Sequence, residues 1–116
     1  MKVMIVEDNK NMREMIKQII IKSVDGVASI SECSNGQEAI ERYDQVRPDW
    51  ILMDIQMEPI DGLTASRIIK NSHPKARIII VTSYDDAMYR EAARDAGVEA
   101  YVLKENLWKI SELMAA

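Results

Sequence analysis

The chain has 116 residues, of which 47% are hydrophobic and 29% are charged, values typical of one globular domain that buries its own core. Its formal net charge of −4 argues against binding nucleic acid through bulk electrostatics. Its single cysteine, Cys33, excludes an intramolecular disulfide and a thiolate metal cage. No apolar run approaches the roughly 18 residues of a membrane span. We therefore expect a cytoplasmic protein with no membrane partner.

Short apolar runs alternate with segments of helical periodicity along the chain. The first run, residues 3–6, precedes residues 9–23, where apolar side chains recur three and four positions apart, as in an amphipathic helix. Residues 27–33 alternate between polar and apolar side chains, as in a half-exposed edge strand. Residues 35–46 return to helical spacing, and Pro48 follows the end of that helix.

The second half of the chain repeats this alternation. Residues 50–53 predict a third strand, and Pro59 and Gly62 mark the loop after it. The remaining predicted elements are a helix over about residues 63–71, a strand over 77–82, a helix marked by Tyr89, Ala92, Ala93 and Ala96 with Gly97 at its C-cap, a strand over 100–103, and a last helix carrying Leu107, Ile110, Leu113 and Met114. This (βα)5 order predicts an α/β fold, a doubly wound five-stranded parallel sheet with helices on both faces.

Polar residues follow the predicted strands at the point where each strand ends. In an open parallel sheet, the loops from strand to helix all emerge at the carboxyl edge, where ligands bind. The residues that this places together are Glu7 and Asp8 after the first strand, Asp54 after the third, Thr82 and Ser83 after the fourth, and Lys104 after the fifth. Three carboxylates, two hydroxyls and one ammonium group are therefore expected to converge.

These residue types favour a divalent cation over a nucleotide phosphate. A dinucleotide or flavin site needs glycines or hydroxyls after the first strand, whereas this loop reads VEDNKN, with two acids and no glycine. Carboxylate oxygens suit Mg²⁺, which relieves their mutual repulsion and attracts a phosphoryl group. We expect Asp54 to act as a nucleophile that forms an acyl phosphate, with Lys104 and Thr82 contacting the phosphoryl oxygens.

Four motifs, covering essentially the whole chain in order and spacing, resemble the response-regulator receiver domain of two-component signalling. They are ED at 7–8, LMDIQMEPIDG at 52–62, VTSYDD at 81–86 and AYVLK at 100–104. The resemblance implies a flavodoxin-like strand order of 2-1-3-4-5 and one receiver domain over residues 1–116, with no effector domain in this chain. It implies a sensor histidine kinase or histidine phosphotransfer protein as donor, and output through the surface formed by the fourth helix, fifth strand and fifth helix. A homodimer through that surface is also implied, and no direct contact of this domain with nucleic acid.

The resemblance further implies how the acids divide their roles. Asp54 is the phospho-acceptor, and Asp8 and Asp54 bind Mg²⁺. Glu7 assists through water, and the backbone carbonyl of Gln56 completes the protein ligands.

Four further positions take roles from the same resemblance. Thr82 and Lys104 engage the phosphoryl group. Thr82 and Tyr101 form the switch that couples phosphorylation to the output surface, and Gln56 and Tyr84 tune the rate of dephosphorylation.

Two departures from the family pattern lead to their own predictions. Glu105 follows Lys104 where many receivers have proline, and a cis peptide without proline costs about 2.5–4 kcal/mol, so we predict a trans bond. Proline also stands one place later than usual after the acceptor, at Pro59, and we expect a small shift in the path of that loop.

Two other functions remain open. A phosphatase or phosphotransferase for small molecules would carry a second acid two residues after the nucleophile to protonate the leaving group, where this chain has Gln56. A receiver-like scaffold that works without phosphorylation would lack the acceptor or the metal-binding acids, all of which this chain contains.

Overall fold

Five parallel strands and five α-helices alternate in the computed structural model, which describes residues 1–115. The elements are β1 (Lys2–Val6), α1 (Lys10–Ser23), β2 (Ser29–Cys33), α2 (Gly36–Val46), β3 (Trp50–Met53), α3 (Gly62–Ser72), β4 (Ile78–Thr82), α4 (Ala87–Asp95), β5 (Ala100–Leu103) and α5 (Lys109–Ala115), with a 3₁₀ turn at Lys104–Asn106. The strand order is β2-β1-β3-β4-β5, with every neighbouring pair parallel. The predicted α/β fold and strand order are confirmed.

Two apolar layers cover the two faces of the sheet. Every residue of β3 and β4 is buried, as the continuous apolar sequence of these strands predicts. Alternate strand residues pack against α2, α3 and α4 on one face and against α1 and α5 on the other. This burial holds the central strands rigidly, and with them the loops at their carboxyl ends.

Four helices begin at a side-chain cap just beyond a strand. The capping oxygens belong to Asn9, Asn35, Asp61 and Asp86, each accepting the backbone N–H three residues on. Such caps satisfy amide groups that have no partner inside the helix. They place the starts of α1 to α4 around the carboxyl edge of the sheet.

Several predicted boundaries differ from the structure by one or two residues. β2 begins at Ser29 rather than at residue 27, because Ala28 donates its backbone N–H to Met1 outside the strand ladder. α4 ends at Asp95 with Ala96 as its C-cap, so Gly97 lies one residue beyond the position predicted for it. The last helix, α5, begins at Lys109, so Leu107 lies before it, and the 3₁₀ turn at Lys104–Asn106 was not predicted.

The predicted peptide geometry at Lys104 is confirmed. Within residues 1–115, the only cis peptide bond joins Glu58 to Pro59, so the bond from Lys104 to Glu105 is trans. Gly97 has a φ of +86° directly after the C-cap Ala96, a left-handed conformation that glycine adopts at little cost. None of the helices within residues 1–115 is long and apolar enough to span a membrane.

Candidate functional site

Three carboxylates meet at the carboxyl edge of the sheet, and we call Glu7, Asp8 and Asp54 the acid cluster. Val6 and Met53 are register partners in β1 and β3, so the residues that follow them emerge side by side. The backbone N–H of Asp54 donates to the carbonyl of Val6 at 3.0 Å. One carboxylate oxygen of each member of the acid cluster lies within 4.8 Å of the others.

Burial divides the acid cluster into two kinds of carboxylate. Glu7 is 1% exposed and Asp54 is 5% exposed, whereas Asp8 is exposed. Burial raises the pKa of Glu7 to about 7 and raises the pKa of Asp54 above its ordinary value, although Lys104 opposes both shifts. The ammonium group of Lys104 therefore does not fully offset the cost of ionising these two buried carboxylates.

Lys104 contacts both buried carboxylates from the 3₁₀ turn after β5. Its Nζ lies 2.8 Å from Glu7 Oε1 and 3.5 Å from Asp54 Oδ1. Burial of the ammonium group lowers its pKa, but hydrogen bonding and the charges of the two carboxylates outweigh this, and the net pKa of Lys104 is raised. Lys104 is therefore charged at neutral pH and partly neutralises the acid cluster.

The acid cluster fits the ligand preference of Mg²⁺. Glu7 Oε1 is buried beside the Lys104 ammonium group at 2.8 Å, and a carboxylate oxygen has lone pairs for a second positive group as well. Asp8 lines an open cavity of about 390 Å³ together with Gln56 and Glu58, which leaves room for the waters that Mg²⁺ keeps. A hard cation with oxygen ligands therefore matches both the donor atoms and the space.

In the protein without metal, stability is expected to rise as the pH falls from about 7 to about 5. The pKa of Glu7 is about 7 in the folded chain against an ordinary value of 4.5, so in this window the folded state keeps a proton that the unfolded state loses. Asp54 acts in the same direction. We expect the free energy of unfolding in urea to increase by about 1–2 kcal/mol.

Matched variants identify the group responsible for this pH dependence. Glu7→Gln should flatten the dependence, whereas Glu41→Gln, at an exposed site on α2, should preserve it. Below about pH 4.5 the trend should reverse, since Lys17 and Arg13 hold the pKa of Glu32 below its ordinary value although burial raises it. Stability that falls steadily from pH 7 to pH 5 would contradict the prediction.

Within residues 1–115, Thr82 and Tyr101 are not hydrogen-bonded to each other, but both bond to the same neighbour. Thr82 is fully buried, and its hydroxyl oxygen accepts the backbone N–H of Tyr84 at 3.2 Å. The Tyr101 hydroxyl donates to the backbone carbonyl of Tyr84, and the guanidinium of Arg90 lies 4.5 Å from the centre of the Tyr101 ring. Both predicted switch residues thus bond to the backbone of Tyr84, in the loop between β4 and α4.

Two neighbours of the site were not identified as functional from the sequence. Glu58 lines the cavity beside Asp8; its place in the loop after the acceptor is the only sequence signal for this. Tyr89, predicted only as an apolar marker of a helix, accepts a hydrogen bond from Gln56 Nε2 at 3.0 Å. No sequence pattern indicates a contact between residues that lie 33 positions apart.

Comparison with known proteins matches nearly the whole chain to one family. A model of the response regulator receiver domain matches residues 3–116. The response regulator protein VraR of Staphylococcus saprophyticus is 35% identical over 105 residues, covering 89% of this chain and 49% of that protein. The chemotaxis protein CheY of Bacillus subtilis is 36% identical over 103 residues, covering 89% of this chain and 84% of that protein. The chain thus spans about half the length of its VraR relatives.

Solved structures of response regulators have the same fold as this chain. A DNA-binding response regulator of the LuxR family from Staphylococcus aureus has a TM-score of 0.90 and 29% identity, with 98% of this chain and 95% of that chain covered. The response regulator domain of Thermotoga maritima CheB has a TM-score of 0.82 and 26% identity, with 99% and 90% covered. Both similarities extend over nearly all of the chain.

Proposed function

Because the chain belongs to the response regulator receiver domain family, we propose that residues 1–116 form the phospho-accepting receiver domain of a two-component response regulator. A sensor histidine kinase or a histidine phosphotransfer protein donates the phosphoryl group to Asp54. The observation that carries this proposal is a buried acceptor carboxylate beside one lysine and two further acids. A scaffold that works without phosphorylation has no use for such a costly arrangement.

The residues of the site support an in-line transfer. An Asp54 carboxylate oxygen forms a bond to phosphorus, and the bond from phosphorus to the donor nitrogen breaks, its electron pair leaving with the imidazole. Lys104, already within 3.5 Å of Asp54, supplies a compact charge for the phosphoryl oxygens. Thr82 supplies a hydroxyl.

Mg²⁺ is the proposed cofactor. Asp8 and Asp54 would hold it directly, Glu7 through water, and Gln56 through its backbone carbonyl. When bound, Mg²⁺ neutralises charge on the transferring phosphoryl oxygens.

Phosphorylation is proposed to act on the α4–β5–α5 surface, formed by Ala87–Asp95, Ala100–Leu103 and Lys109–Ala115. Thr82 and Tyr101 are the switch residues, since both bond to the backbone of Tyr84 next to α4. The surface then changes its affinity for an output domain, a protein partner or a second copy of the chain. The protein is a signalling switch that catalyses only its own phosphorylation and dephosphorylation, the latter tuned by Gln56 and Tyr84.

The remaining proposals concern setting and partners. A cytoplasmic location is supported by the single cysteine, Cys33, which is buried. The absence of direct nucleic acid contact by this domain stays a prediction, and similar structures include DNA-binding regulators of the LuxR family.

Incubation with acetyl phosphate and Mg²⁺, followed by intact mass measurement, tests the proposed function. We expect one labile phosphoryl group per chain, and none when a chelator removes the metal. If the folded protein takes up no phosphoryl group under these conditions, the phosphorylation switch is refuted, and binding without phosphorylation becomes the function to examine.

A further inference from the structure

We infer that Tyr89 is a positioning residue that lengthens the lifetime of the phosphoryl group on Asp54 by holding the side-chain amide of Gln56 against α4. The inference rests on the proposed function and adds to it a residue outside the acid cluster. Tyr89 acts through Gln56, and it takes no part in phosphoryl transfer to Asp54.

A backbone hydrogen bond and ring packing fix the position of Tyr89. Its backbone N–H donates to the capping oxygen of Asp86 at 3.0 Å, and its ring packs against the apolar layer beneath α2, α3 and α4. Tyr84 meets this ring edge-on, with ring centres 6.0 Å apart and planes at 87°, a favourable arrangement for two aromatic rings. The Tyr89 hydroxyl therefore has a defined position at the start of α4.

Gln56 is the freer partner of the pair. It lies exposed in the loop between β3 and α3, two residues after Asp54, and lines the same cavity as Asp8. Its Nε2 donates to the Tyr89 hydroxyl at 3.0 Å, the one side-chain hydrogen bond that Gln56 makes within residues 1–115. This bond ties the amide to the first turn of α4.

The position of this amide matters for hydrolysis of the acyl phosphate. In that step a water oxygen bonds to phosphorus, the bond between phosphorus and the Asp54 oxygen breaks, and Asp54 leaves with the electron pair as a carboxylate. The water loses a proton to solvent. A primary amide both donates and accepts hydrogen bonds, so a released Gln56 can orient that water, whereas one bonded to Tyr89 has its amino group engaged elsewhere.

Tyr89→Phe removes only the hydroxyl and keeps the ring in place. After phosphorylation with acetyl phosphate and Mg²⁺ and rapid removal of the donor, we expect Tyr89→Phe to lose its phosphoryl group about fivefold faster than wild type. That factor corresponds to one neutral hydrogen bond. Tyr43→Phe makes the same change on α2, where the ring stacks on His73 at 4.3 Å, and should hydrolyse at the wild-type rate.

A double-mutant cycle separates positioning from a general structural effect. In the Gln56→Ala background, Tyr89→Phe should cause no further acceleration, because the amide through which Tyr89 acts is absent. An equal acceleration in that background would overturn the inference, and so would a rate for Tyr89→Phe within 1.5-fold of wild type.

The side-chain amide signals of Gln56 in NMR spectra test the contact without phosphorylation. They should shift in Tyr89→Phe and stay unchanged in Tyr43→Phe. Unchanged signals in Tyr89→Phe, in a chain that does accept the phosphoryl group, would overturn this inference alone. A wild-type chain that accepts none would overturn the proposed function and the inference with it.

Discussion

Asp54→Asn is expected to abolish uptake of the phosphoryl group and, at the same time, to stabilise the metal-free fold. The loss of uptake follows because an amide oxygen is no nucleophile for phosphorus under these conditions. The gain follows because Asp54 is 5% exposed and its pKa is raised, which means that its ionised form costs the folded state free energy. Lys104 keeps a carboxylate partner in the variant, since its Nζ lies 2.8 Å from Glu7.

Intact mass and urea unfolding measure the two effects side by side. We expect no phosphoryl group on Asp54→Asn and a gain of about 1 kcal/mol in the free energy of unfolding at pH 7 without Mg²⁺. The gain should shrink as the pH falls and the Asp54 carboxyl of the wild type takes up a proton, since its pKa is raised. Asp44→Asn, at an exposed residue that bonds to Arg47 and His73, should retain phosphorylation. Full phosphorylation of Asp54→Asn would assign the acceptor to another residue.

The convergence of the acid cluster and Lys104 could be predicted from the sequence, although the contacts between their side chains could not. Asp54 follows a fully apolar strand, and a charge in such a place is costly without a partner. Glu7, Asp8 and Lys104 stand at the ends of other predicted strands, so the parallel topology alone brings them near Asp54. Their convergence therefore required only the strand pattern.

The side-chain partners depend on geometry that the strand pattern does not contain. Lys104 lies nearer to Glu7 than to Asp54, and it stands in a 3₁₀ turn that the sequence pattern did not predict. The bond from Gln56 to Tyr89 joins the loop after β3 to the first turn of α4, and it depends on where the Asp86 cap begins α4. Periodicity identifies helices and strands, but caps and turns decide which side chains meet.

Gly62→Ala is expected to destabilise the protein by about 3 kcal/mol or more, because α3 begins against the backbone of Asp54, the proposed acceptor. A Cβ at Gly62 would lie 1.7 Å from the carbonyl oxygen of Asp54 and 2.9 Å from Met53 Cγ. Neither side can yield easily: Gly62 donates its N–H to Ile55 at 2.9 Å, and Asp54 is hydrogen-bonded to Val6 in β1. Either the start of α3 or the backbone of Asp54 must move, so uptake of the phosphoryl group should slow as well.

Gly26→Ala is the matched control, since it adds the same methyl group where nothing lies within 4 Å. Its cost comes only from the left-handed backbone, with a φ of +79°, and should be about 1 kcal/mol with phosphorylation unchanged. Urea unfolding compares the two, and a Gly62→Ala chain that fails to fold is the extreme of the expected result. If Gly62→Ala were no more destabilised than Gly26→Ala, the start of α3 would be free to move, and the close approach at Asp54 would not be what requires glycine there.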